Sequence, residues 1–367
     1  MLRPTAFVAA VCVACSASGV SSGSPAGPVV NGRLAFEMRS DLYTIRPNGS
    51  GLVHITKGSG NDARPDWSPD GRWIAFDRTS SADKVTSVYV LGEAGGRPRL
   101  LVRGARSPKW SPSGRRLAVI RSGARCSRSC PSARDLWTVA LAGGRPRLAL
   151  AGAWSGDWSP TGHALAATRK DGTWIVGVES GTVRQLSSVR GEFGERADWS
   201  PDGSRLLLVS SNGLVTVSAR DGSITTLRAP PAPPASDDPK GCAGRLAHPI
   251  WSPDGRWIAY EAWGCFDDGV RYSDLQIIDA EGNYRWTISN DQYPGGYDSG
   301  TSLAVWSPDS LSLAFLDDRL HSEGDSFLAT ARLLATATRS DFSFDYRQLR
   351  AGVFSAPAWQ RLPRPRN

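Results

Sequence analysis

The stretch Trp67-Ser68-Pro69-Asp70-Gly71-Arg72-Trp73-Ile74-Ala75-Phe76 decides the fold, because most of it recurs. Trp-Ser-Pro-x-Gly starts again at Trp110, Trp158, Trp199 and Trp251. A sixth copy at Trp306 reads Trp-Ser-Pro-Asp-Ser and loses the glycine, and Trp359 ends the series as Ala-Trp-Gln. The intervals are 43, 48, 41, 52, 55 and 53 residues, a period that belongs to a repeat architecture. Each turn is followed by an apolar run, such as Trp73-Ile74-Ala75-Phe76, Leu117-Ala118-Val119-Ile120 or Trp257-Ile258-Ala259-Tyr260. A further strand, a Gly turn (Gly95-Gly96, Gly143-Gly144) and a last strand complete the unit. The turn residues read as structural: Pro fixes φ, Asp bonds nearby backbone and Gly accepts a positive φ.

Each unit is therefore four short strands, and one such sheet cannot cover both of its faces. Sheets stacked around an axis bury one another and leave only short edges, with the tryptophan filling each junction. The expected fold is all-β, a β-propeller of four-stranded blades. The first unit, from Gly32-Arg33-Leu34-Ala35-Phe36 to Leu52-Val53-His54-Ile55-Thr56, lacks a Trp strand, and the last unit around Trp359 has only that strand. The C-terminal strand is thus expected to complete the N-terminal blade and remove an exposed edge. That gives seven blades, with six as the alternative.

The motif resembles the WD40-like PD40 repeat of the TolB-like β-propeller family. The resemblance covers roughly residues 33–360 and rests on five near copies and two degraded ones. It implies a propeller acting as an interaction module in the cell envelope or outside the cell. The propellers of prolyl oligopeptidases and dipeptidyl peptidases carry repeats of the same type.

Arg3 and the apolar run from Thr5 to Ala14, followed by small residues, read as a signal peptide over 1–17, with a flexible Ser/Gly/Pro tether over 18–32 and a tail over 361–367. Cys15 in Cys12-Val13-Ala14-Cys15 offers lipid anchoring as the alternative to cleavage and release. The protein is therefore expected to be periplasmic, wall-associated or extracellular. Export makes the other four cysteines candidates for disulfides, Cys126 with Cys130 and Cys242 with Cys265. The net charge of +8 is carried almost wholly by arginine. It suits solubility, or attraction to acidic wall polymers or lipid headgroups.

Strands alternate in direction, so the Ser-Pro-x-Gly and Gly-Gly turns share one face. The longer connections share the other, where binding usually sits on a rigid scaffold. That loop face carries Trp263, Phe266, Asp267, Asp268, Tyr293 and Tyr297, aromatics and carboxylates suited to a protein, peptide or cell-wall partner. Trp263 and Phe266 packing under their own loop is the competing reading. Three residues before each tryptophan, Arg64, Arg196 and His248 are placed to line the channel mouth and hold an anion, or else to pair with nearby acids. No cofactor, metal or nucleic acid is expected, and the chain is expected to be a monomer.

The function expected from these residues is a non-enzymatic binding scaffold. The Gly-x-Ser-x-Gly at Gly19 to Gly23 lies in the leader, without the strand and helix a nucleophile elbow needs. The four histidines, His54, His163, His248 and His321, fall in different repeats. The alternative is a propeller enzyme, a polysaccharide lyase or peptidase-like hydrolase, with an axial site.

Overall fold

A computed structural model describes residues 29–58, 60–122, 134–191, 196–229, 244–265, 271–283, 285–288, 299–317, 327–334, 343–351 and 357–363. Among these residues there are strands and turns and no helix. The chain forms seven four-stranded antiparallel blades. Five are separate sheets, and the Trp251 and Trp306 blades join into one eight-stranded sheet. The seven strands that carry the repeat tryptophans contact one another in sequence around a closed ring. These are the innermost strands and surround the axis.

The ring closes as the incomplete first and last units require. Ala358–Pro363 pairs antiparallel with Val29–Met38, with Leu34 opposite Trp359. The described sheet thus runs a few residues beyond 33–360 at both ends. Gln360 occupies the motif's Ser position and is almost fully buried. Its Oε1 accepts the Arg33 N–H at 2.9 Å, and its Nε2 donates to the Gly71 carbonyl at 2.8 Å in the next blade. A side chain at Gly32 would collide with it, at 2.5 Å from Gln360 Oε1.

Apolar side chains of neighbouring sheets make the core. In one junction Ala75, Val88, Val90 and Val102 meet Trp110, Leu117, Val119 and Val139. Six of the seven repeat tryptophans are buried. Trp199 is only half buried, because its strand is cut to Asp198–Trp199. The indoles of Trp110, Trp158 and Trp199 each donate to a carbonyl of the preceding inner strand, at Asp66, Lys109 and Asp157.

The repeated turn owes its shape to its serine. Ser68 Oγ accepts the Trp73 N–H at 2.9 Å and donates to Asp70 Oδ1 at 2.5 Å. Ser200, Ser252 and Ser307 repeat both bonds. The Ser200 hydroxyl holds the Asp202 carboxyl below its ordinary range. Where the sixth copy loses its glycine, Ser310 takes the positive φ itself, at 63°. Its hydroxyl accepts the Asp254 N–H of the previous turn at 3.0 Å. The missing glycine has become a link between blades.

Candidate functional site

On the loop-face side, the inner strands carry a β-bulge. The register slips between Ala63 and Asp66, Arg106 and Lys109, Ala247 and Ile250, and Ser302 and Val305. Each bulge puts the residue three before the tryptophan at positive φ: Arg64 at 52°, Ser107 at 54°, His248 at 47° and Leu303 at 53°. Bulky residues rarely adopt this conformation. Such strain persists only where the surroundings enforce it.

At two junctions the enforcing group is a buried acid. Asp77 follows Phe76 on the second strand of the Trp67 blade and is 1% exposed. It accepts the Ser107 N–H of the next blade at 2.9 Å and Arg64 Nε of its own blade at 2.5 Å. Burial still raises the Asp77 carboxyl above its ordinary value, against the pull of Arg64 and the Ser107 N–H. Glu261 holds the matching position after Tyr260. It accepts the Leu303 N–H at 2.6 Å and faces His248 Nδ1 at 2.9 Å, both on Oε1. Its Oε2 accepts the Trp263 indole N–H at 3.1 Å. The acid thus pins a backbone bulge across the junction and orients a basic side chain on the rim. The His248 ring remains 43% exposed, held through one nitrogen by a buried carboxylate as general bases are.

Deeper in the ring, the residue before each tryptophan is Asp66, Lys109, Asp157 or Asp198 on one side, and Ile250, Val305 or Ala358 on the other. Asp66 accepts the Trp110 N–H at 2.9 Å and lies 3.2 Å from Lys109 Nζ. Asp198 accepts the Trp251 N–H at 2.7 Å. Burial and then the like charge of Asp157 push the Asp198 carboxyl up to about 7, against the pull of Arg196. Neighbouring inner strands therefore meet through charged residues on one side of the ring and through residues of the apolar junction clusters on the other.

Among the described residues, one second-to-third-strand hairpin is longer than its counterparts. Trp257–Cys265 and Arg271–Asp279 form a nine-residue hairpin in unbroken register, from Trp257 opposite Asp279 to Cys265 opposite Arg271. Tyr272 and Ser273 then pair in parallel with Ser299 and Gly300 of the next inner strand, which is why two blades share a sheet.

Of the residues singled out by sequence, Arg64 and His248 stand on the rim, each on its acid. Arg196 Nε lies 3.8 Å from Asp157 Oδ2. All three have an acid nearby, as the competing reading expects. Trp263 sits half buried against Glu261. Phe266, Asp267, Asp268, Tyr293 and Tyr297 lie outside the described residues, as do Cys126, Cys130, Cys242 and the leader with Cys15. The backbone of Cys265 ends the hairpin strand. Sequence reasoning missed Asp77 and Glu261; their signal was a single acid ending an otherwise apolar run. Among the described residues, no group of three His, Cys, Asp or Glu is placed to hold a metal, and no helix is long and apolar enough to cross a membrane.

No family model matches the chain. Over 83 residues it is 32% identical to the uncharacterized peptidase YuxL of Bacillus subtilis, a match covering 22% of this chain and 12% of that protein. Its fold is similar to TolB from Acinetobacter baumannii, with a TM-score of 0.53 and 15% identity over 90% of this chain and 66% of the other. It is also similar to prolyl oligopeptidase B from Galerina marginata, with a TM-score of 0.56 and 14% identity over 86% of this chain and 48% of the other. At these identities the structural likeness is one of fold. The expectation of a chain without enzymatic activity is corrected here. The sequence match to a protein named a peptidase points toward hydrolase chemistry, while the oligopeptidase likeness shows the fold alone.

Proposed function

We propose that this chain, a seven-bladed propeller of the TolB-like kind, binds a protein or peptide outside the cytoplasm on its loop face. The observation that carries the reading is the hairpin of Trp257–Cys265 and Arg271–Asp279. It rises beside the His248–Glu261 corner and is stitched to the neighbouring blade. Rigid strands carrying a half-exposed imidazole and a half-buried indole give a partner fixed polar and aromatic contacts at low entropic cost. The leader-like N-terminus supports an exported location, as does the TolB likeness.

A second reading adds hydrolysis of the bound peptide, and the YuxL match favours it. Random-peptide display on the full chain tests both. Binding on the loop face predicts enriched peptides that are lost by the H248Q/W263F double variant and kept by R145Q on the turn face. Equal binding to all three proteins would contradict it. Mass spectrometry of the enriched peptides after incubation reads the second: cleavage supports it, and intact peptides under saturating protein oppose it.

A further inference from the structure

The turn face is uniform in backbone and lopsided in charge. Gly-Gly-Arg-Pro-Arg-Leu occurs twice, at 95–100 and 143–148, leading into the outermost strands of the adjacent Trp67 and Trp110 blades. In each blade this turn is bonded to the Ser-Pro-x-Gly turn: the Glu93 N–H donates to the Arg72 carbonyl, and the Leu141 N–H to the Arg115 carbonyl, both at 2.9 Å. The two blades meet there, since Arg99 Nη2 donates to the Leu141 carbonyl at 2.7 Å. Residues 69–73, 92–100, 112–116 and 140–148 of these turns hold seven arginines and two acids. The matching residues of the Trp199 and Trp251 blades, 201–205, 218–226, 253–257 and 279–287, hold four arginines and five acids. Arg72, Arg97, Arg115, Arg145 and Arg147 are exposed and make no ion pair or side-chain hydrogen bond among the described residues. The two acids are engaged within the protein, Asp70 by the Ser68 hydroxyl and Glu93 by Gln360 Nε2.

Apolar side chains stand among these arginines. Leu100 opposite Tyr89 and Leu148 opposite Trp137 take the same place one blade apart. They are 47% and 52% exposed, and Trp73, next to Arg72, is 37% exposed. A lone exposed leucine means little, but here three large apolar groups are interleaved with five uncompensated guanidinium groups. The described chain also begins on this face. Val29 opens the strand that pairs with Ala358–Pro363. Asn31 Nδ2 donates to Asp309 Oδ2 of the Trp306 turn at 2.8 Å. Opposite Asn31, the Arg361 carbonyl lies 2.8 Å from where a side chain at Gly71 would start. The first described strand thus starts between the Trp306 and Trp67 turns, beside Arg72 and Trp73. In sequence, the apolar run from Thr5 to Ala14 ends fifteen residues before Val29.

We infer that this corner of the turn face, built on the Trp67 and Trp110 blades, docks onto an anionic lipid surface. Each guanidinium near a negatively charged leaflet adds attraction. Arginine stems cover apolar ground while their heads reach the phosphates. Tryptophan and leucine at the same level enter the headgroup boundary. A purely polar acidic polymer would satisfy the arginines and leave Trp73, Leu100 and Leu148 in water, so the charge and the exposed apolar groups together favour lipid. The inference does not depend on peptide binding. Docking by the turn face leaves the loop face turned away from the membrane.

Cosedimentation of the full chain with vesicles of phosphatidylcholine, alone or in equal parts with phosphatidylglycerol, tests this, with soluble polyphosphate as a third arm. The chain binds the mixed vesicles more tightly than phosphatidylcholine alone, and added salt weakens that binding. The R97Q/R145Q double variant weakens binding to the mixed vesicles by about twentyfold, and L100Q/L148Q by about tenfold. R220Q, which removes an exposed arginine from the turns of the Trp199 blade, changes it less than about twofold, because distant exposed charges are screened. H248Q on the loop face leaves it intact. Equal affinity for the two vesicle types, or for the wild type and R97Q/R145Q, overturns the inference while leaving peptide binding in place. Polyphosphate binding that R97Q/R145Q abolishes, together with vesicle binding indifferent to L100Q/L148Q, overturns it in favour of an acidic polymer.

Discussion

The Asp77 and Glu261 corners follow one plan with different basic side chains. Each acid accepts a backbone N–H from a positive-φ residue of the next blade, Ser107 in one case and Leu303 in the other. Each also holds the rim residue of its own blade, a guanidinium at Arg64 and an imidazole at His248. The backbone half of the plan is architecture, since it fixes the bulge and ties two blades. The side-chain half is where the corners diverge. One carries a permanent charge; the other carries a group whose charge changes in the physiological range, beside an indole and a long hairpin. A ring of near-equal repeats has thus been individualised at the rim, while the turns beneath stay uniform.

Deleting the acids gives the largest effect. Glu261→Ala strands the Leu303 N–H, the Trp263 indole and His248, and is expected to cost about 3 kcal/mol. Asp77→Ala loses one hydrogen bond fewer, and its Arg64 partner is 50% exposed and rehydrates. Its cost should be nearer 2 kcal/mol. Urea unfolding of both variants checks the ranking; equal losses below about 0.5 kcal/mol would break the shared plan.

Asp198 extends the comparison to an acid with a like-charged neighbour. Its carboxyl rises from 3.8 to about 7 on folding. The folded state therefore binds a proton more tightly than the unfolded state. This group's contribution is greatest below 3.8 and declines as pH rises toward 7, then stays flat. Asp198→Asn should flatten the fall in stability across that window, read from chemical denaturation at a series of pH values. An unchanged slope would mean that Asp198 ionises as freely folded as unfolded.

The smallest effect isolates the backbone. Ser107→Gly relieves the left-handed strain at 54° and is expected to stabilise by about 0.5 kcal/mol after glycine's own entropy cost. Leu303→Gly relieves the same strain but removes a side chain packed beside Trp359 and Leu316, so it should be net destabilising. Thermal melts separate the two.

Much of this molecule was readable from its residues, for a physical reason. A tryptophan needs a junction, and Ser-Pro-x-Gly needs a turn, so five near copies and two degraded ones spell a ring. The half blades at each end spell its closure. The bulges were not readable. Arg64, Ser107, His248 and Leu303 share no residue type, because acids of neighbouring blades set their φ at two of these positions. Asp77 and Glu261 each looked like the polar end of an apolar run, and their partners are 30 and 42 residues away. The uniform turn also misled in one respect: Ser310 holds the conformation assigned to glycine by gaining a bond to the neighbouring blade. For the site, the loop face is an expectation from the lengths of its connections, and most of those long connections lie outside the described residues.

Hydrogen–deuterium exchange of the full chain, with and without a display-selected peptide at saturation, tests the central claim most directly, that the loop-face rim is the binding surface. Slowed exchange should fall on the rim ends of Arg245–Trp251 and Trp257–Cys265, with the Ser-Pro-x-Gly turns unchanged. Protection centred on those turns, or spread evenly over both faces, would contradict it.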